Sequence, residues 1–329
     1  MSAELVSVVI PAYNAQDTID ETLRSVRSQS HGALEIIVVD DGSRDETISI
    51  ARSHMEIDPR VRLIEQANAG VAAARNAGWQ AARSDLIAFV DADDLWAPTK
   101  IERQLAALDR ADEKVGLVYC WYSVIDAKST VIDNQRPDWR GDVLERLFLG
   151  NFVGNGSAAL VRRQALIDAD GFESRLREAG AHGCEDILFY CRVAETYQFE
   201  VVEEPLVGYR RLPGNMSSDM ARMLRSWMLV VDEMLGRHPA AAPMLREGLH
   251  LYSVWLLESA LRRRQLRYVL PILSLLFRYH RAIAMRIIGF DLPRVATHLA
   301  KRVVARLVHG GSGPVRPHLT ARFPIGELQ

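Results

Sequence analysis

Cysteine is scarce: Cys120, Cys184 and Cys191 are the only three in 329 residues. They form no disulfide framework, and their spacing lacks the paired pattern of a zinc site. A reducing cytosolic compartment is the expectation. A basic n-region is also missing. Glu4 stands where one would lie, and an apolar run begins almost at once, so no signal peptide is expected. Long apolar stretches are absent. The longest near the C-terminus, Tyr268 to Phe277, is ten residues and contains Pro271, which is too short to span a bilayer. No internal repeat is visible.

What is present is an ordinary globular composition, 48% hydrophobic and 25% charged. The length allows a substantial core and suggests one large domain with an appendage, or two domains. The net charge of −2 hides an asymmetry: residues 259–309 hold eleven Lys/Arg against one acid, Asp291. The rest of the chain is therefore acidic, and two regions with different partners are expected.

The apolar runs Val6 to Pro11, Leu34 to Val39, Val61 to Ile64, Leu86 to Val90 and Val115 to Trp121 read as buried strands. Helices are expected between them: one capped by Asp17 and reaching about Gln29, one over Asp45 to about His54, the Ala-rich Gly70 to Ala82, and one opened by Pro98 and Thr99. This alternation predicts a mainly parallel α/β sheet. From about 122 to 219 the pattern loosens. It offers a short helix near Asp142–Leu149, a Gly-rich stretch Gly150 to Ser157, a strand over Ala158 to Val161, a helix from Glu185 and a strand over Phe199 to Val202. Met220 to about His309 reads as helical, and the Gly/Pro-rich residues 310–329 read as a flexible tail.

Strands of a parallel sheet deliver ligand groups at their carboxyl ends. Four features fall there: Pro11-Ala12-Tyr13-Asn14, Asp40-Asp41-Gly42-Ser43, Asn68-Ala69-Gly70 with Arg75, and Asp91-Ala92-Asp93-Asp94. Carboxylates crowded at one strand end repel one another and call for a cation. A divalent metal carrying a diphosphate fits, and hard oxygen donors suit Mg²⁺ or Mn²⁺. An aromatic, several carboxylates, an Arg and a helix N-terminus at one sheet edge point to a nucleotide site. There Tyr13 can pack on a ring and Arg75 can meet a phosphate or the base-binding Asp. Competing structural roles are a polar loop for the acidic cluster, a helix cap for Asp40, and packing on the sheet edge for Tyr13.

The order and spacing of these motifs resemble the family 2 inverting glycosyltransferases. The resemblance rests on Ser7 to Asn14, Glu35 to Ser43, Asn68 to Gly78 and Ala88 to Asp94. It covers residues 5–100 well and thins towards 218. It implies a GT-A fold over 1–219, with a nucleotide-binding half at about 1–120 and an acceptor half at about 121–219, followed by a basic helical region at 220–309. It also implies a nucleotide-sugar donor, most often a UDP-sugar, and a divalent metal. By the family pattern Pro11, Tyr13, Asn14, Asp41, Arg75, Asp91 and Ala92 line the nucleotide, Asp41 contacts the base, and Asp91 and Asp93 form the D-x-D pair, with Asp93 the direct metal ligand. Glu185-Asp186 resembles the family's acidic pair, which places Asp186 as the base that deprotonates the acceptor and Glu185 beside it as an orienting group. Helix-terminal charge compensation is the competing role for that pair.

One departure concerns Tyr209 to Ser217, where Leu212 stands in the place of an expected His. Arg210 or Arg211 is the alternative diphosphate ligand, and surface salt bridging is the competing role. His182 is not an obvious substitute. Trp96 and Trp139 fall in candidate acceptor regions, whereas Trp227 and Trp255 read as core. Ala296, Leu299, Ala300, Val303 and Leu307 share one helical face opposite Arg294, His298, Lys301 and Arg302. Such a face suits an anionic membrane surface or packing on its own domain.

The expected activity is transfer of a sugar to a hydroxyl acceptor, saccharide or lipid-linked, in surface polysaccharide or glycolipid synthesis. The expected setting is cytoplasmic, at the inner membrane face. Nucleic acid is not an expected partner, because the first 258 residues are strongly acidic. A nucleotidyltransferase would need a Gly-rich phosphate loop near the first strand, and Pro11 to Asn14 lacks one. A non-catalytic nucleotide- or sugar-binding scaffold is the other rival.

Overall fold

The computed structural model describes residues 4–181, 183–212, 219–295, 297 and 321–327. Strands β1 (Val6–Ala12) and β2 (Leu34–Asp40) are buried at every position, as strands covered on both faces require. With β3 (Val61–Glu65) and β4 (Leu86–Phe89) they form a parallel unit in the order β3-β2-β1-β4. Helices α1 (Ile19–Arg27), α2 (Thr47–Ile57) and α3 (Val71–Ala81) make the crossovers. Asp17 does not cap α1; the capping position is Thr18, and no side chain bonds the helix end. α3 lies so close to the sheet that a Cβ on Gly78 would stand 2.3 Å from Val9 Cγ1. Only glycine fits there without displacing the strand.

Next along the chain come β5 (Leu95–Trp96), α4 (Lys100–Leu108), β6 (Val115–Ile125), β7 (Val131–Gln135), α5 (Leu144–Leu149), β8 (Leu160–Arg162), α6 (Arg163–Asp168), α7 (Arg175–Glu178), α8 (Glu185–Ala194) and β9 (Gln198–Arg210). The sheet becomes mixed beyond β4. β8 runs antiparallel to both β4 and β6, β9 lies parallel to β6, and β5 pairs antiparallel with the far end of β9. β7 is the antiparallel hairpin partner of β6. Local apolar patterning does not reveal β5 or β7, because each is held by pairing with a strand distant in sequence or by a turn. β9 outruns its expected span because Pro205 enters the ladder at a register shift opposite Trp121.

Helices α9 (Met220–Arg237), α10 (Ala242–Arg262), α11 (Val269–Tyr279) and α12 (Arg281–Arg286) follow, and a π-helical turn covers Ile287–Asp291. Asp219 caps α9, accepting from the Arg222 N–H at 3.2 Å. α9 packs on α8 and α10 on α5, so the helical region shares the core of the sheet domain. Trp227 is buried as expected, whereas Trp255 is 52% exposed. The amphipathic stretch 294–308 lies outside the described residues apart from Arg294, Val295 and Thr297.

The loose tail needs correction over 321–327. There the chain returns to the sheet: Ala321 O accepts from Val131 N at 2.9 Å, Phe323 N donates to Ser129 O at 2.8 Å, and Arg322 bridges to Thr130. Phe323 is buried beside Gly208 and Ile125. An aromatic anchor with two backbone hydrogen bonds outweighs the Gly/Pro character of the segment before it.

Candidate active site

The carboxyl ends of β1, β2 and β4 bring three of the four predicted features to one edge. Pro11 is buried within β1, and the chain then turns at Asn14, whose φ is +48°. Asn14 Oδ1 accepts from Arg44 N at 2.9 Å, and Asn14 N donates to Ser43 Oγ at 2.9 Å, which joins the first two strand ends. Tyr13 is 51% exposed and does not pack on the sheet edge. Asp40 is a turn cap: its Oδ2 accepts from Gly42 N and Ser43 N, both at 3.0 Å.

Asp41 is buried and braces the loop that opens α3. Its Oδ1 accepts from Gln66 Nε2 and Ala69 N and its Oδ2 from Gly70 N, each at 2.8 Å. A carboxylate offers about four lone-pair sites, so one acceptor position is left for a further N–H donor.

At the end of β4, Asp91 N donates to Ser157 Oγ at 3.0 Å. Asp94 is wholly buried, taking Ser157 Oγ at 2.5 Å and Arg210 N at 2.8 Å. Burial and the neighbouring charges of Asp93 and Asp91 push its carboxyl well above the usual range. Asp94 thus shapes the loop, while Asp91 and Asp93 are only partly buried. Ala92 is buried, and its carbonyl accepts from Thr22 Oγ1 at 3.0 Å.

Arg75 corrects the sequence expectation. It meets neither Asp41 nor open space beside the nucleotide loop. Its guanidinium is buried and forks between Asp91 Oδ1 at 2.5 Å and Glu185 Oε1 at 2.7 Å. Gly156 makes room for it, since a Cβ there would lie 2.3 Å from Arg75 Nη2. Burial opposes the charge, but Asp91, Glu185 and Asp186 outweigh it and keep the group cationic. One side chain thereby ties the acidic loop after β4 to the acidic pair that opens α8.

That pair follows Cys184, which holds a left-handed φ of +64°. A β-substituted residue is strained in this region, and the strain sits directly before Glu185 and Asp186. Glu185 is spent on Arg75 rather than on the helix end. Asp186 Oδ1 accepts from Ile187 N at 2.7 Å, and its Oδ2 accepts from Asn151 Nδ2 at 2.9 Å. Burial and the Glu185 charge raise its carboxyl to about 6, against the pull of Arg75. Such a group is ionised at neutral pH yet basic enough to accept a proton.

Two further expectations fail on packing. Trp96 has no exposed surface; its Nε1–H donates to Ser157 O at 3.0 Å and its ring lies under Lys100 Nζ at 3.9 Å, so it is core and not an acceptor contact. Arg210 is also buried and engaged. It donates to Asp93 O at 2.7 Å, to Glu21 Oε2 at 2.7 Å and to Ser129 Oγ at 3.1 Å, a strut under the acidic loop and not a diphosphate ligand. Arg211 is exposed, and no acid pairs with it among the described residues. His182 lies outside the described residues.

Asn151, Ser157 and Glu21 escaped sequence reasoning. The one available signal was the polar, glycine-rich run 150–157, which lies at no strand end. Among the described residues no group of three His, Cys, Asp or Glu converges on a metal position. Two hard carboxylates at one loop nevertheless suit Mg²⁺ or Mn²⁺, which keeps open positions for substrate phosphates.

The mixed sheet, with acidic loops at the carboxyl ends of its parallel half, defines a GT-A nucleotide-diphospho-sugar transferase fold. Through residues 7–169, which match Glycosyl transferase family 2, the chain belongs to that family. An uncharacterized glycosyltransferase of Nostoc sp. is 36% identical over 215 residues, 62% of this chain and 64% of that protein. The chain spans about half the length of other curated relatives, 42% and 51% in two cases. Among solved structures, S. aureus TarS 1-349 in complex with UDP-GlcNAc aligns with a TM-score of 0.59 at 19% identity, over 75% of this chain and 72% of that one. The mannosyltransferase PcManGT from Pyrobaculum calidifontis in complex with GDP-Man and Mn²⁺ aligns with a TM-score of 0.58 at 21% identity, over 95% and 81%.

Proposed function

We propose that this protein is a metal-dependent inverting glycosyltransferase that moves a sugar from a nucleoside diphosphate, a UDP-sugar, to a hydroxyl acceptor. The observation that carries the reading is the buried Arg75 fork, which holds the acidic loop and the base-bearing helix as one unit. A site that must align a donor and an acceptor needs that rigidity.

In this reading the base of the nucleotide packs on the exposed Tyr13 ring and donates an N–H to the remaining acceptor position of Asp41. Pro11, Asn14 and Ala92 shape the walls. Asp91 and Asp93 hold Mg²⁺ or Mn²⁺, which when bound neutralises charge on the diphosphate. Asp186 takes the proton of the acceptor hydroxyl. The acceptor oxygen bonds to the anomeric carbon on the face opposite the leaving group. The bond to the diphosphate breaks, and its electron pair leaves with the nucleotide. Glu185, held by its ion pair with Arg75, orients the acceptor side of the site. Arg211, exposed and without an acid partner among the described residues, meets the diphosphate in this reading. The acceptor is a saccharide or a lipid-linked saccharide of surface polysaccharide or glycolipid synthesis, met at the cytoplasmic membrane face.

The test is a thermal-shift screen of nucleotide sugars with and without Mn²⁺, joined to turnover of Asp186→Asn. A UDP-sugar with Mn²⁺ should raise Tm, and the variant should lose transfer by about 10²-fold or more while retaining donor binding. If no nucleotide stabilises the protein with metal, the enzyme reading fails. If the variant retains turnover, the base lies elsewhere.

A further inference from the structure

The expected anionic membrane contact is the basic region 259–309, of which residues 296 and 298–309 fall outside the described residues. Within the described part of that region, the surface on α11, α12 and the π-helical turn has the required chemistry. Most elements of this fold turn their large apolar side chains inward. Here Leu270 is 76% exposed, Phe290 65%, Leu266 62% and Met285 61%. Leu270 and Phe277 stand two turns apart on α11, with half-buried Leu273 between them, and Leu266 lies in the turn just before that helix. Ile272, Leu276, Ala284 and Ile287 of the same elements are fully buried and fasten the helices to the protein. The exposed stripe is therefore the outer face of well-anchored helices.

Cations frame the stripe. Arg263, Arg264, Arg267, Arg278, Arg281 and Arg294 are exposed. Arg267 and Arg278 lie over the rings of Tyr268 and Tyr279. None of the six pairs with an acid among the described residues, whereas Arg286 and Arg262 are paired with Glu247 and Glu258. Apolar side chains with unpaired arginines at their rim match a lipid surface: the former enter the acyl boundary and the latter meet anionic headgroups. No helix among the described residues is long and apolar enough to cross a membrane, so the contact is interfacial. A second copy of the chain suits this face less well, because two copies meeting there would bring their arginines together.

We propose that the outer face of α11, α12 and the π-helical turn docks on an anionic bilayer.

The test uses the full chain and vesicles of phosphatidylcholine alone or mixed with phosphatidylglycerol, at low and at physiological salt. Binding is read by co-sedimentation without donor or acceptor, so its outcome is separate from that of the proposed transfer. The protein should bind the mixed vesicles and not the neutral ones, and salt should weaken binding. Leu270→Glu with Phe290→Glu, and separately Arg278→Glu with Arg281→Glu, should each lower partitioning at least about tenfold. Circular dichroism and the donor-induced Tm shift should stay unchanged. Equal binding to both vesicle types, no binding to either, or unchanged binding of both variants overturns the proposal. So does a dimer in light scattering that Leu270→Glu converts to monomer, which would assign the face to a second copy.

Discussion

At the scale of single residues the site is a problem in charge accommodation. Asp91, Glu185 and Asp186 share one buried cation, Arg75. Removing it leaves buried charge uncompensated, which costs about 3–5 kcal/mol. Arg75→Met should lower the unfolding free energy read from urea denaturation by that amount and raise the apparent pKa of Asp186, because Arg75 pulls it down. Asp186 is expected to set the acid limb of the rate profile. Its base form is lost as pH falls through about 6, so kcat/KM should fall about tenfold per unit below that point and level off above it. Asn151 donates to the Asp186 carboxyl at 2.9 Å, a bond that is stronger to the ionised form. Loss of that hydrogen bond, worth about 1 kcal/mol, shifts the limb upward by about 0.7 units in Asn151→Ala. An unshifted limb would remove Asp186 from the profile. The acidic motifs themselves were legible in sequence, because each directly follows an apolar run that reads as a strand; which of them serve as caps and loop braces, as Asp40 and Asp94 do, was not. The true partners of Arg75, Arg210 and Trp96 were not. Each meets residues about 60 or more positions away, and burial decides whether an Arg faces a phosphate or a carboxylate.

At the scale of elements, apolar runs bounded by Gly, Pro and Asp located β1 to β4 and β6, and the Ala-rich stretch located α3. These segments carry their periodicity locally. β5 and β7 do not, since a two-residue strand exists only through its partner β9 and a hairpin strand with exposed Ile132 has little apolar pattern. The contact of α3 with β1 is tight enough to test. Gly78→Ala places a methyl against Val9 Cγ1 at 2.3 Å. The strand or helix must shift, which should cost about 1–3 kcal/mol despite the better helix propensity of alanine. Thermal denaturation reads the sign: a stabilised Gly78→Ala would mean that the helix packs more loosely than described.

At the scale of the molecule, the C-terminal segment closes the structure back on its acidic loop. Phe323 N binds Ser129 O; Ser129 Oγ donates to Glu21; Arg210 reaches Ser129, Glu21 and Asp93 O. The chain end is thus three contacts from the proposed metal pair. Deleting residues 321–329 should lower Tm and weaken Mn²⁺-dependent donor binding, by several-fold if one hydrogen bond of about 1 kcal/mol under the loop is lost. Titration of donor in the presence of Mn²⁺ measures this. Unchanged affinity with lowered Tm would confine the segment to a packing role. The sequence showed a Gly/Pro-rich tail and no reason for its return, because the anchor is one aromatic residue and the groove that receives it is built from β6 and β9.

The sequence by itself determined the class of fold, the parallel half of the sheet and the acidic stations at its edge. These follow from short-range patterns: apolar periodicity, turn residues and carboxylates at strand ends. Only the tertiary structure decided which charges meet. It turned Arg75 and Arg210 from ligand contacts into buried struts, sent Trp96 into the core, brought Asn151 to Asp186, and left an apolar, arginine-rimmed face on the outer helices. Burial and long-range pairing set those outcomes, and neither is encoded in the neighbourhood of the residues they govern.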